Sequence, residues 1–320
     1  MNKLAERLWE KLACRLKIFS YKDREYLLKQ IEDSKILAAN SLINQMKSSG
    51  ISKDLHEVEF KVFSQFGDDG IIQYLIHHAE IENDVFIEIG VQDYLESNTR
   101  FLLVNNNWSG LVIDASPKHI KFIKRDEIYW KHDLTAVCTF VDRNNISNLI
   151  ADFIEDRKFS PKIGILSIDI DGNDYWMWDA INNIEPSIVI VEYNSVFGID
   201  HAVSVPYDPK FFRPSAHYSH LYWGASLKAF YLLARRKGYH FLGCCMNGIN
   251  AYFVKESCLG KLQPVSLEEG YVVSKFRDSR NERGELSFLT GIHRRKAIEE
   301  LFVDDVESGR CIKLKHLWCS

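Results

Sequence analysis

Apolar positions along this chain change period several times, and each change marks a boundary. From residue 1 to about 48, Leu4, Leu8, Leu12, Leu16 and Phe19 recur at helical spacing, with Lys and Arg between them and no Gly or Pro before Gly50. The pattern predicts a helical arm that stops at Ser48-Ser49-Gly50. Ile71, Ile72, Leu75 and Ile76 give residues 69–81 one buried helical side. At Val85-Phe86-Ile87-Glu88-Ile89-Gly90 the period collapses into a short apolar run ending in Gly, which predicts a strand buried on both faces. Similar runs at 110–114, 136–141, 163–170 and 187–193 alternate with helical stretches at 97–106, 117–124, 145–156 and 175–181. Strands alternating with helices at this spacing predict right-handed βαβ units, hence an α/β, Rossmann-like doubly wound and mostly parallel sheet. A helix at 225–238 and an antiparallel strand pair at 239–244 and 250–254 are expected to close it.

Three segments fall outside that rhythm. Residues 194–224 are aromatic, His-bearing and broken by Pro, and are expected to form one long loop of the kind that carries function. Residues from 261 to 320 form a charged C-terminal extension of weak periodicity. The domain organisation expected is therefore an arm at 1–50, a catalytic domain at 55–260 and an extension at 261–320. The arm either packs on the domain or on a second copy of the chain, making a homo-oligomer, or rests on a membrane surface as a basic amphipathic helix; Glu6 and Glu10 dilute the basic face and favour packing.

Composition narrows the function classes. A net charge of −4 gives no global attraction to nucleic acid or to anionic lipid, and no apolar run is long enough to span a bilayer. Residues 1–21 lack the apolar core and cleavage site of a secretory signal. The seven cysteines are scattered, with no Cys-x-x-Cys pair, which predicts reduced thiols in a cytoplasmic compartment and no cysteine zinc site.

In an open parallel sheet, ligands bind beyond the carboxyl ends of the strands. The residues there are Glu88, Asp114, Asp142, Asp169 with Asp171, and Glu192 with Asn194. An acid after every strand exceeds what helix capping needs, and clustered carboxylates repel one another, so the set predicts a site. Gly90 allows the backbone to approach a ligand closely. The G-x-G-x-x-G that seats a pyrophosphate is missing, which counts against NAD or FAD. Asp114 suits ribose hydroxyls, because one carboxylate accepts two bonds. Asp142 is placed to accept from an adenine amine.

Three segments together resemble a known family: Ser64-Gln65-Phe66-Gly67-Asp68-Asp69-Gly70, Phe86-Ile87-Glu88-Ile89-Gly90, and Leu166-Ser167-Ile168-Asp169-Ile170-Asp171-Gly172-Asn173-Asp174-Tyr175-Trp176. With the order of strand-end acids, they are similar to class I S-adenosylmethionine-dependent methyltransferases of the FkbM-type branch, often found among enzymes that decorate bacterial polysaccharides and glycolipids. The resemblance covers about residues 58–258. It implies S-adenosylmethionine as cofactor, with Glu88 and Gly90 along its methionine part, Asp114 on its ribose, Asp142 beside its adenine, and Asp169 also among the cofactor-binding residues. Gln65 and Asp69 either close over the methionine end or belong to a turn and helix cap. One departure is that Tyr94-Leu95 stands near the place of the usual second Gly, so the first loop is expected to take a different shape.

The acceptor side has two further sets. Asp169, Asp171, Glu192 and Asn194 form a hard-oxygen set suited to Mg²⁺, similar to the metal site of catechol-type and some sugar O-methyltransferases; the alternative is that Asp171-Gly172-Asn173 is a tight turn. Within the long loop, His201, His217 and His220 accompany Tyr207, Tyr218, Tyr222 and Trp223. His217 and His220, with Asp171, are the expected proton-handling residues, and the aromatic rings suit sugar faces, unless these side chains merely pack the loop. The stretch Lys275-Phe276-Arg277-Asp278-Ser279-Arg280 either meets an anionic substrate or a subunit partner through its arginines, or is a solvated face. The expected activity is methyl transfer to oxygen on a sugar or glycan-like acceptor, in the cytoplasm or at the inner face of a membrane. The rival readings are a nicotinamide-dependent sugar oxidoreductase and a non-catalytic scaffold of the same fold.

Overall fold

The computed structural model describes residues 7, 8, 11 and 21–318. The chain divides into two compact units, Met1–Ser48 and Ser49–Ser320. In the first, α1 (Tyr21–Ser48) is one continuous helix ending where the Ser-Ser-Gly signal stands. Leu8 is also helical, while Leu4, Leu12, Leu16 and Phe19 of the predicted stripe, with Glu6 and Glu10, lie outside the described residues. Among the described residues no helix is long and apolar enough to cross a membrane.

The second unit is built on a seven-stranded sheet. Its strands are β1 (Val85–Ile89), β2 (Ser109–Asp114), β3 (Leu134–Cys138), β4 (Lys162–Ile168), β5 (Glu185–Glu192), β7 (Tyr239–Cys244) and β8 (Asn250–Lys255), in the spatial order β3-β2-β1-β4-β5-β8-β7. β1 to β5 run parallel; β8 pairs antiparallel with β5, and β7 with β8. The connecting helices are α2 (Asp68–His78), α3 (Arg100–Asn106), α4 (Pro117–Ile123), α5 (Ile128–Lys131), α6 (Ile146–Arg157), α7 (Asp174–Ala180) and α9 (Leu227–Arg236), with α8 (Arg213–Ala216) in the long loop. The doubly wound sheet thus forms as the alternation predicts.

Alternation along the strands assigns the two faces. Ile87, Ile89, Leu111, Ile113, Leu166, Ile168, Val189 and Val191 join one core with Ile146, Ile150 and Phe153 of α6, Met177 and Trp178 of α7, and Phe230 and Leu233 of α9. The residues between them, among them Phe86, Glu88, Val112, Ile165 and Ile190, are buried as well. Burial on both faces explains why the strands read as unbroken apolar runs.

Two differences from expectation bear on the site. β3 begins and ends earlier than 136–141, because its register against β2 runs from Gly110↔Leu134 to Asp114↔Cys138 and stops where β2 stops. Thr139, Phe140 and Val141 therefore form a loop beyond the sheet. The residues from 261 are the second difference. Within the same compact unit, β9 (Phe302–Asp305) and β10 (Arg310–Lys313) make a second, antiparallel sheet with β6 (Val203–Ser204) of the long loop. A small core of Val196, Phe197, Val203, Leu221, Ile298, Val303 and Leu314 ties loop and tail together. At about 25 cal/mol per Å² of apolar surface, this cluster is what holds the loop over the strand ends.

Candidate active site

A cavity of about 550 Å³ lies beyond the C-terminal ends of β1 to β5. Here strand order reverses: β2 and β3 lie to one side of β1, β4 and β5 to the other. Such a switch point leaves a crevice between diverging connections. The cavity falls within the roughly 300–1,000 Å³ of small-molecule sites.

Its near half comes from β1, β2 and β3. Gly90 lines it at a φ of +87°, and a Cβ there would stand 1.6 Å from the carbonyl oxygen of Asp169. Only glycine lets β1 and β4 stay this close at their ends. Asp114 lines the cavity at the end of β2, where its Oδ2 accepts from Gln92 N at 2.9 Å and its Oδ1 from Ser116 N at 2.7 Å. His119 Nδ1 stands 3.2 Å from the same Oδ1. A carboxylate offers about four lone-pair directions, so one on Oδ2 remains for a ligand hydroxyl and a second opens if His119 turns away. Phe140 and Val141, freed by the early end of β3, supply an apolar wall.

The first loop departs from the usual glycine-rich form in a definite way. Gln92 and Tyr94 both take left-handed backbone, with φ of 48° and 64°. Tyr94 is fully buried, its hydroxyl donating to Thr99 Oγ1 at 2.9 Å, and that oxygen donates in turn to Glu88 Oε2 at 2.5 Å. Three of the loop's backbone N–H groups are spent inside the protein: Gly90 N on Ile113 O, Gln92 N on Asp114 and Tyr94 N on Val91 O.

The far half comes from β4, β5, the long loop and the tail. Asp169, Asp171 and Glu192 bring ligand atoms within 4.8 Å of one another. Burial, then repulsion from Asp171 and Asp174, pushes the Asp169 carboxyl well above the carboxylate range. Burial, then Asp169, does the same to Glu192. Each of the two carboxyls is raised further by the other's charge, and the buried Glu192 Oε2 has no hydrogen-bond partner. Asp171 is different: at a φ of 56° and half-exposed, it pairs with Arg213 Nη1 at 2.5 Å. Arg213 also donates from Nε to His220 O at 3.0 Å and lies 4.7 Å over the ring of Trp223. Asn173 lines the same wall with its buried Oδ1 unpartnered.

Several predicted residues stand elsewhere. Glu88 sits on the opposite face of β1 from Ile87 and Ile89, where it accepts from Asn98 N at 2.9 Å and Thr99 N at 3.1 Å. It braces the turn into α3 and does not line the cavity. Asp69 is buried at the start of α2, its Oδ2 accepting from Val62 N, Phe63 N and Ser64 N at 2.7 to 2.8 Å. It shapes the preceding loop, whereas Gln65 of that loop does reach the cavity. Asp142 lies four residues past the end of β3 and holds Asn144 N and Asn145 N at 2.7 and 2.9 Å, a turn leading into α6. Asn194 lines the cavity and is anchored to the loop: Nδ2 donates to Leu221 O and Trp223 O, and Oδ1 accepts from Val196 N, which leaves one lone pair on Oδ1. His217 is outside the cavity, its Nδ1 2.8 Å from Ser219 Oγ and its pKa lowered by burial; His220 does line it.

Sequence reasoning missed Arg213, Phe211 and Phe212 of the loop, and Ser274 and Arg294 of the tail, all of which line the far half. Of the basic stretch 275–280, Phe276 and Asp278 reach the cavity, while Arg277 is exposed and Arg280 lies 3.6 Å from Asp278.

Among solved structures the chain is similar to the N-terminal domain of EvdMO1 with SAH bound, at 9% identity, over 63% of this chain and 83% of that one, with a TM-score of 0.39. It is similar to an S-adenosylmethionine-dependent methyltransferase from Clostridium acetobutylicum at 10% identity, over 59% and 90%, with a TM-score of 0.37. It is similar to the O-methyltransferase from Bacillus cereus in complex with SAH at 14% identity, over 69% and 91%, with a TM-score of 0.33. No family model matches the chain, and no curated protein does. No residue role follows from likenesses this distant.

Proposed function

We propose that the chain is a class I S-adenosylmethionine-dependent O-methyltransferase of the FkbM-like kind, acting on a sugar or glycan-like acceptor in bacterial surface polysaccharide or glycolipid synthesis. The observation that carries this reading is the division of one switch-point cavity into unlike halves. The near half suits a nucleoside: a ribose hydroxyl on Asp114, adenine against Phe140 and Val141, the methionine end towards Gly90 and Gln65. The far half presents carboxylates and aromatic rings to a polar acceptor. A sulfonium between the halves is attracted by Asp169 and Glu192.

Within that reading S-adenosylmethionine held by Gly90, Gln65 and Asp114 would supply an electrophilic methyl group to an acceptor oxygen in the far half, its sulfur leaving as a neutral thioether. The acceptor proton would pass to the Asp169–Glu192 pair, to Asp171 or to His220, all of which line the far wall. Proximity supplies most of the acceleration. The Asp169, Asp171 and Glu192 oxygens also fit a hard cation, and the unpartnered Glu192 Oε2 supports that fit. Mg²⁺ bound there would offset the crowded acids and lower the pKa of an acceptor hydroxyl. The arm would serve self-association or docking at a cytoplasmic membrane face.

The nicotinamide alternative meets a specific obstacle. A dinucleotide pyrophosphate needs free backbone N–H groups in the first loop, and those of Gly90, Gln92 and Tyr94 are already bonded. The test is calorimetric titration with S-adenosylmethionine, its demethylated product and NADH, each with Mg²⁺ and with chelator. Binding of the first two at about micromolar Kd, without NADH binding, is expected. Binding of NADH alone would favour the oxidoreductase, and binding of none the scaffold.

A further inference from the structure

Arg294 is an anomaly among the arginines. It sits on α11 (Ile292–Lys296) of the tail and lines the far half of the cavity. Its hydrogen bond is a long one, Nη1 to Ser274 O at 3.4 Å, and its Nε is buried without a partner. Among the described residues no carboxylate comes within salt-bridge distance of it. Arg213, which lines the same cavity, is matched with Asp171 at 2.5 Å, and the buried Arg100 lies 3.5 Å from Asp126. Burial, then the charge of Arg213, lowers the pKa of Arg294. Arg294 is half-buried, and a cation drawn partly out of water with no anion beside it lacks the pairing that ordinarily offsets its desolvation. Planar guanidinium suits a carboxylate or phosphate held by two parallel bonds.

We propose that the methyl acceptor carries an anionic group, carboxylate or phosphate, and that Arg294 receives it. The inference rests on the methyltransferase reading for the word acceptor, though the anion site itself does not. The cofactor's own carboxylate is a poor occupant. The methionine end lies towards Gly90 and Gln65 by β1, whereas Arg294 is fixed through Ser274, whose N donates to Ser195 Oγ at 2.9 Å just past β5. Phe211, Phe212 and Phe276, which line the same cavity, offer apolar faces of the kind a sugar ring packs on.

The test uses the full chain as wild type, Arg294→Gln and Arg294→Lys. Thermal unfolding without ligand comes first: removing an uncompensated cation should leave Tm unchanged or raise it, which also shows that the variant folds. Binding of D-glucose 6-phosphate, D-glucuronate and uncharged D-glucose is then measured by calorimetry. Wild type should prefer one or both anions to glucose, and Arg294→Gln should weaken anion binding about 10- to 100-fold, with Arg294→Lys between. A carboxylate-only or phosphate-only preference identifies the group. Equal binding of anions and glucose by wild type, or an anion preference that survives in Arg294→Gln, overturns the proposal. S-adenosylmethionine titrated into the same samples should bind all three alike. Its failure to bind wild type would defeat the methyltransferase reading while leaving the anion result to stand or fall by itself.

Discussion

The two halves of the cavity use acids in opposite ways. Around the near half, Glu88, Asp114 and Asp142 accept two bonds each from neighbouring backbone. Around the far half, Asp169 and Glu192 face each other, and Glu192 Oε2, Asn173 Oδ1 and Arg294 Nε are left unsatisfied. A satisfied acid builds shape; an unsatisfied group waits for a ligand. By sequence position all these acids look alike, and the hydrogen bonds separate them.

Substitutions can break that contrast, and the largest effect is expected where the halves meet. Gly90→Ala places a methyl 1.6 Å from the Asp169 carbonyl at a φ that disfavours side chains. It should cost about 3 kcal/mol or more in chemical denaturation and abolish cofactor binding in calorimetry. Glu88→Ala comes next, since it orphans the N–H groups of Asn98 and Thr99. A loss of about 3 kcal/mol is expected in urea unfolding. The matching change in the far half, Glu192→Gln, should instead be neutral or stabilising by about 1 kcal/mol at neutral pH while lowering methyl transfer. If both glutamate variants destabilised equally, the contrast would fail.

The pH dependence sharpens the same point. The folded pKa values of Asp169 and Glu192 are raised, so their contribution to stability is full below the ordinary carboxylate range. It is lost as pH rises through the raised values and the pair ionises. Asp174, raised to about 6 by burial, adds the same slope from its ordinary value of 3.8 upward. Unfolding measured across pH should show wild type losing stability over this window and Glu192→Gln losing less. A smaller effect is expected at Asp114, which has only one or two free lone-pair directions. Asp114→Asn should weaken S-adenosylmethionine binding about 10-fold in calorimetry. The smallest effect is at His217, which lies outside the cavity: His217→Gln should change kcat/KM by less than about 2-fold, against about 100-fold or less for His220→Gln.

Much of the scaffold is legible in the sequence because buried parallel strands must be apolar throughout, so their runs stand out between helical stretches. Gly90, Asp114, Asp169, Asp171 and Glu192 are legible for a related reason: the ends of those runs are where a crevice must open. The errors have separate causes. Glu88 is one residue out of phase with the cavity face of β1, and an apolar run buried on both sides gives no parity cue. Asp142 was displaced because Thr139-Phe140-Val141 has strand composition, while the end of β2 stops the pairing at Cys138. Asn194 also anchors the loop, its Nδ2 donating to carbonyls 27 and 29 residues away, a role that no local pattern shows. Arg294 stands in His293-Arg294-Arg295-Lys296, which reads as a solvated helix, and the elements that carry it inward are 4 or 5 residues long. Segments that short have no measurable period.

Hydrogen–deuterium exchange on the full chain, with and without the demethylated cofactor product, tests the division of the cavity most directly. The account predicts slowed exchange at residues 90–92, 114–116 and 139–141, with residues 211–214 and 274–294 unchanged until an anionic acceptor is added. Protection confined to the loop and tail, with none at the ends of β1 to β3, would contradict it.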